Sequence, residues 1–217
     1  MDYFNLPSST IVQRVVPKNS FEPYATSKQK NMFAKDVAKI IWSYCLSQKT
    51  INLPSRDIQE IQIFTLELKE QKDIKPILDI IDKAIPYHII FIVEYNGWMY
   101  FSTSAKHSSP LNESKSVIDW TFKTPWFKIT ENSYRLDLQK SLDGIFTNFC
   151  NQLSIHPNKD IKDLPELISY NSKLYEAMKK IESLKKKISS CNQFNKKVEM
   201  NMKVRELQEK LSELRHR

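Results

Sequence analysis

Glu67, Leu68 and Lys69 close a run, Ile58 to Lys69, whose alternation predicts a strand. Side chains two apart leave a strand on the same face, so the Glu67 carboxylate and the Lys69 ammonium lie side by side, with Asp57 in the turn before them. A carboxylate and an ammonium so placed make either an ion pair on a strand edge or the charged part of a metal-dependent hydrolytic site. The histidines offer no second centre. His88 sits in a strand-like run, His107 in a loop, His156 in a linker and His216 in the tail, with no spacing suited to a metal or to activating a nucleophile. Cys45 and Cys150 lie among apolar neighbours on helical patterns and read as packing residues. With Cys191 they number three and form no CxxC, which predicts reduced thiols in a cytoplasmic protein and neither a disulfide framework nor a zinc site.

The elements around Glu67 run helix, strand, turn, strand with Glu-x-Lys, helix, strand, an order similar to the core of the PD-(D/E)xK nucleases. That resemblance implies that Asp57 and Glu67 would hold a divalent metal such as Mg²⁺ while Lys69 polarises the attacking water. The chain departs from the pattern in the short interval after Asp57 and in lacking one strand of that core. Two readings therefore stand: a metal-dependent nuclease subunit, or an edge-strand ion pair in a protein without a cofactor.

Composition excludes other chemistry. Only Gly97 and Gly144 occur, so there is no P-loop and no GxGxxG fingerprint. The longest apolar run, Ile89 to Val93, is far shorter than the roughly 20 residues that cross a bilayer, and the first ten residues do not resemble a secretory signal. Hydrophobic residues at 41% and aromatics at 11% suffice for a packed core.

The positioning elements follow from periodicity. Pro7, Pro17 and Pro23 mark an extended lead-in. Thr26 or Ser27 caps a helix predicted over 28–46, from Met32, Phe33, Val37, Ile40, Ile41 and Tyr44. Short strands are expected at 50–53, 117–123 and 134–138, and helices at 74–84 and 142–153. The run 87–95 reads as a central strand, and Asn96-Gly97 turns it into a hairpin with 98–103. Residues 107–116 read as a polar loop. The fold class is α/β (α+β), a mixed sheet of about four to six strands flanked by helices, with residues 1–154 as the body, 155–165 as a linker and 166–217 as a helical arm.

The arm carries the charge. From Asn171 onward there are 13 Lys+Arg against 6 Asp+Glu, a net of +7 within a whole-chain net of +8 (33 − 25). Leu174, Ala177, Ile181, Leu184, Ile188 and Cys191 form one seam at coiled-coil spacing; Met200, Val204, Leu207, Leu211 and Leu214 form a second, displaced by two residues. The displacement predicts either a discontinuity in a long helix or a fold-back near 189–195 into an antiparallel hairpin. Phe194, Asn195 and Val198 at this phase change are expected to belong to the association surface together with Leu174, Ile181, Leu184, Ile188, Val204, Leu207 and Leu211. Lys179, Lys180, Lys185, Lys186, Lys187, Lys196 and Lys197 are either a solvated face or phosphate contacts for nucleic acid.

Several phrases together resemble the bacterial domain-of-unknown-function family 4391. They are Phe4-Asn-Leu-Pro, Val16-Pro-Lys-Asn-Ser-Phe21, Ile41-Trp42, Thr50-Ile-Asn52, Glu60-Ile-Gln-Ile-Phe64, Ile81-Asp-Lys-Ala-Ile-Pro-Tyr87 and Gln193-Phe-Asn-Lys-Lys-Val-Glu199. The resemblance implies an accessory product of restriction or antiphage-defence loci that also encode helicases and DNA methyltransferases; it supplies no catalytic residues. The expected protein is thus a non-enzymatic subunit that self-associates or docks through its arm, with no membrane partner. A nuclease subunit and a DNA-binding adaptor are the alternatives.

Overall fold

The structure, a computed structural model, describes residues 3–109 and 112–216. The chain forms two compact units, Met1–Leu153 and Ser154–Arg217.

Among the described residues the first unit is an α/β fold around one open mixed sheet of seven strands. In chain order these are β1 (Ile11–Val15), β2 (Val37–Ser47), β3 (Glu60–Leu68), β4 (His88–Tyr95), β5 (Trp98–Ser109), β6 (Asn112–Lys123) and β7 (Phe127–Lys128). They lie side by side in sequence order from β1 to β6, with the short β7 also pairing β5. Only β3 and β4 run parallel; every other pairing is antiparallel. Helix α3 (Lys75–Ala84) makes the crossover a parallel pair requires.

The helix expected over 28–46 breaks in two. Thr26 caps α1 (Ser27–Asp36) with Gln29 reciprocating, and the chain then enters β2 at Val37. Val37, Ile40, Ile41, Trp42 and Tyr44 are β-branched or aromatic and satisfy period two as well as period 3.6, so sheet partners on both sides decide for strand. Residues 50–53 form no strand. A single turn, α2 (Gln48–Ile51), ends at Asn52 in the left-handed region, φ 53°. Residues 134–138 are irregular, held where Gln152 accepts from Arg135 N at 3.0 Å and donates to Arg135 O at 2.8 Å. The expected loop 107–116 is mostly strand, because β5 and β6 continue as a long hairpin; Pro110 and Leu111 lie outside the described residues. Asn96 and Gly97 turn β4 into β5 with φ of 43° and 80°, the primed hairpin geometry.

Hydrophobic residues fill both sheet faces. On one, Ile77, Leu78, Ile80 and Ile81 of α3 pack with Phe21, Phe33, Phe64, Leu66 and Phe91. Each such side chain contributes about 1.5–3 kcal/mol on burial. On the other, Phe4 and Phe101 stack at 5.4 Å, and both meet Phe149 of α4 (Leu142–Gln152).

The second unit is an antiparallel helical hairpin: α5 (Leu164–Ser190) and α6 (Phe194–His216), joined by residues 191–193. The fold-back, not a continuous helix, is what the phase change encodes. Helix α5 begins at Leu164, so the linker is shorter than expected; Asp163 caps it by accepting from Glu166 N at 2.8 Å.

Candidate functional site

The ends of β3 decide what Asp57, Glu67 and Lys69 can do together. Glu67 is exposed near the C-terminal end of β3, while Asp57 precedes its N-terminal end. Seven strand steps from Glu60 to Glu67 cover about 23 Å, whereas carboxylates sharing one ion must each come within about 2.6 Å of it. Asp57 and Glu67 therefore cannot share a metal. The Asp57 carboxylate points to solvent beside Arg56 at 3.8 Å, while its backbone N–H donates to Asp143 Oδ1 at 3.0 Å. Lys69 is occupied as well: its Nζ donates to Ala34 O at 2.8 Å and its N–H to Asp36 O at 2.9 Å, closing the C-terminus of α1.

What stands beside Glu67 is Glu94, its register partner on β4, with Lys39 opposite on β2. Glu94 is half-buried, and burial pushes its carboxyl above the usual range although the Tyr3 hydroxyl donates to it. Burial first, and the Glu94 carboxylate second, raise Tyr3 far above an ordinary phenol. The arrangement fastens the N-terminal segment over the ends of the two parallel strands. Sequence spacing could not show Glu94 or Tyr3, because their meeting depends on the β3–β4 register. Among the described residues no group of three or more His, Cys, Asp or Glu side chains is placed to hold a metal.

Burial mutes His88, Cys45 and Cys150. Burial, then the charge of Lys106, lowers His88 to about 4; its Nε2 is buried without a partner and its ring lies edge-on to Phe146 at 4.6 Å. Burial, then the neighbouring Glu60, pushes Cys45 up to about 11, and Cys150 is also raised by full burial. Thiols held so far above neutrality are poor nucleophiles.

In the hairpin unit, Leu174, Ile181 and Val204 are buried and close the α5–α6 seam, while Leu184, Ile188, Leu207 and Leu211 are half-buried along its edges. Phe194 and Val198 stay outside at 76% and 43% exposure, with Met202 at 59%, and Asn195 is exposed. Tyr175 and Met178 of α5 are exposed too, beside a shallow groove closed by Gln208, Leu211 and Arg215 of α6. Lys179, Lys180, Lys185, Lys186, Lys187 and Lys196 are exposed and Lys197 is half-buried; Lys186 is ion-paired to Glu182 at 2.6 Å, the one such pair of these seven among the described residues. The one fully buried amide of the unit is Asn171, which the seam spacing did not single out.

The model of the family described as Domain of unknown function (DUF4391) matches residues 4–211, a span that takes in both units. No curated protein and no solved structure matches the chain. No helix among the described residues is long and apolar enough to cross a membrane.

Proposed function

We propose, for a chain that belongs to the DUF4391 family along nearly its whole length, a non-enzymatic role as an interaction subunit that docks through its helical hairpin. The observation carrying this reading is the apolar surface on an otherwise charged unit: Phe194, Met202, Tyr175, Val198 and Met178 are 76, 59, 50, 43 and 39% exposed. Large side chains grouped on a helical face favour burial against a partner. The separation of Asp57 from Glu67 and the engagement of Lys69 count against the nuclease alternative. The proposal extends, on the resemblance of its sequence phrases, to a bacterial cytoplasmic assembly of the restriction or antiphage kind that contains a helicase or DNA methyltransferase.

The test is co-expression of the full chain with the products of genes adjoining its own, followed by size-exclusion chromatography with light scattering. Wild type is expected to co-elute with one of them or to self-associate, and Phe194→Ser with Val198→Ser to elute alone. A wild-type chain that is solitary in every combination overturns the reading. So does DNA cleavage with Mg²⁺ or Mn²⁺ that Lys69→Ala abolishes.

A further inference from the structure

The hairpin sets two rows of lysines against each other. On α5, Lys173, Lys180 and Lys187 recur every seven residues; on α6, Lys196, Lys203 and Lys210 do the same. Seven residues are nearly two helical turns, so each row runs straight along one side of its helix with about 10 Å between lysines. The fold-back brings the rows level. Lys187 and Lys196, Lys180 and Lys203, and Lys173 and Lys210 lie, pair by pair, within one residue of equal distance from Asn192 at the turn. The groove where Tyr175 and Met178 meet Gln208 and Leu211 has nearly the same register.

Each of these lysines is followed four residues later by a half-buried residue: Ala177, Leu184, Cys191, Met200, Leu207 and Leu214. Residues four apart on a helix are neighbours, so the two lysine rows flank a strip of half-covered apolar side chains. All six lysines are exposed, and among the described residues none has a carboxylate within ion-pair distance. Glu176, Glu199 and Glu206 each stand one turn before a lysine of the rows without pairing to it. Two helices that pair through flanking charges ordinarily place opposite signs across the seam; here like faces like.

We propose that this face takes a third, acidic amphipathic helix from a partner protein, with its apolar stripe on the Ala177–Leu184–Leu207–Leu214 strip and carboxylates at seven-residue spacing between the lysine rows. Charge complementarity selects the occupant. A second copy of this face would bring lysine to lysine, and a phosphate backbone would leave the apolar floor uncovered. The inference rests on the docking reading above but names a different face from the one carrying Phe194 and Val198.

The test uses the full chain and a synthetic helical peptide of about three heptads, with leucine at its core positions and glutamate on both flanks. Binding is followed by fluorescence anisotropy beside two controls, the same peptide with lysine flanks and a labelled DNA duplex. The glutamate peptide is expected to bind, the lysine peptide not. Replacing Lys173, Lys180, Lys203 and Lys210 by Gln is expected to weaken binding about tenfold or more, roughly a factor of two for each exposed charge lost. Arginine at the same four positions is expected to restore binding, and circular dichroism checks that both variants are folded. The glutamine variant is also expected to melt no lower than wild type, since it relieves like-charge repulsion. No binding of the glutamate peptide, equal binding by the glutamine variant, or preference for DNA overturns the proposal. If it fails while Phe194→Ser with Val198→Ser still disrupts assembly, the docking reading survives without it; if neither face matters, both fall.

Discussion

Lys106 of β5 donates to Asp82 Oδ1 at 2.8 Å, and both side chains are 1% exposed. The same ammonium donates to Asp82 O at 2.6 Å and Ile85 O at 2.7 Å, so one buried cation satisfies a carbonyl in the last turn of α3, that of the residue just beyond it, and the helix's one buried carboxylate. Burial pulls Lys106 down and pushes Asp82 up, and the attraction between them opposes both shifts. Lys106→Met is expected to destabilise the chain by about 3–5 kcal/mol, because it leaves a buried carboxylate without its counter-charge. Adding Asp82→Leu is expected to recover part of that loss. Urea titrations of the two variants check this; equal stability of Lys106→Met and wild type would remove the pair from the account of the fold.

Acid sensitivity is expected to come in part from His88. Its folded value, about 4, lies below the ordinary value of 6.5. The unfolded chain therefore takes up a proton first as pH falls, and stability declines between about pH 6.5 and pH 4, by roughly 3 kcal/mol for a shift of this size. Above pH 6.5 both states are neutral and the contribution is flat. His88→Leu is expected to lose less stability between pH 7 and pH 4.5 than wild type does; parallel losses would show that other groups govern the decline.

Asp143, in the first turn of α4, accepts from the backbone N–H groups of Arg56, Asp57 and Ile58 at 2.8, 3.0 and 3.1 Å. Burial alone would raise its carboxyl, but the three donors outweigh it and hold the group below the usual range. A depressed carboxylate contributes stability that is present above about pH 4 and lost as pH falls through its folded value. Asp143→Ala is expected to cost about 1–3 kcal/mol near neutrality and to raise hydrogen exchange at residues 56–58, whereas Asp57→Ala changes neither. Exchange at those amides that ignores Asp143 would refute the clamp.

These residues mark where sequence reading stops. Strand β4, its Asn96-Gly97 turn and helix α3 are legible, since an apolar β-branched run, a primed-turn dipeptide and a 3.6-residue stripe each allow one structure. Strand β2 is not, because its apolar positions fit two periods and the choice is made by β1 and β3. The far half of the β5–β6 hairpin escapes for a related reason: His107 and Ser108 of β5 are polar and exposed, so hydrophobic pattern says nothing there. Glu67 and Lys69 are visible as types and spacing. That Glu67 meets Glu94, while Lys69 caps α1, depends on contacts between elements distant in sequence.

Two asparagines of the hairpin unit separate seam position from structural use. Asn195, at the phase change between the two seams, is exposed, whereas Asn171 is fully buried. The Asn171 amide donates to Ser154 Oγ at 3.1 Å and to Leu167 O at 2.9 Å, and its oxygen accepts from Ile155 N at 3.3 Å. It thereby ties the chain entering the unit to the first turns of α5. Leucine at 171 would fill a similar volume yet lose all three hydrogen bonds, at a cost of about 1–3 kcal/mol wherever a buried polar group is left unmet. Asn171→Leu is thus expected to lower the thermal midpoint by several degrees, while Asn195→Leu leaves the unfolding free energy within about 0.5 kcal/mol of wild type, as exposed substitutions usually do. Calorimetry on both variants decides between the two positions, and an Asn195→Leu chain less stable than Asn171→Leu would reverse the assignment.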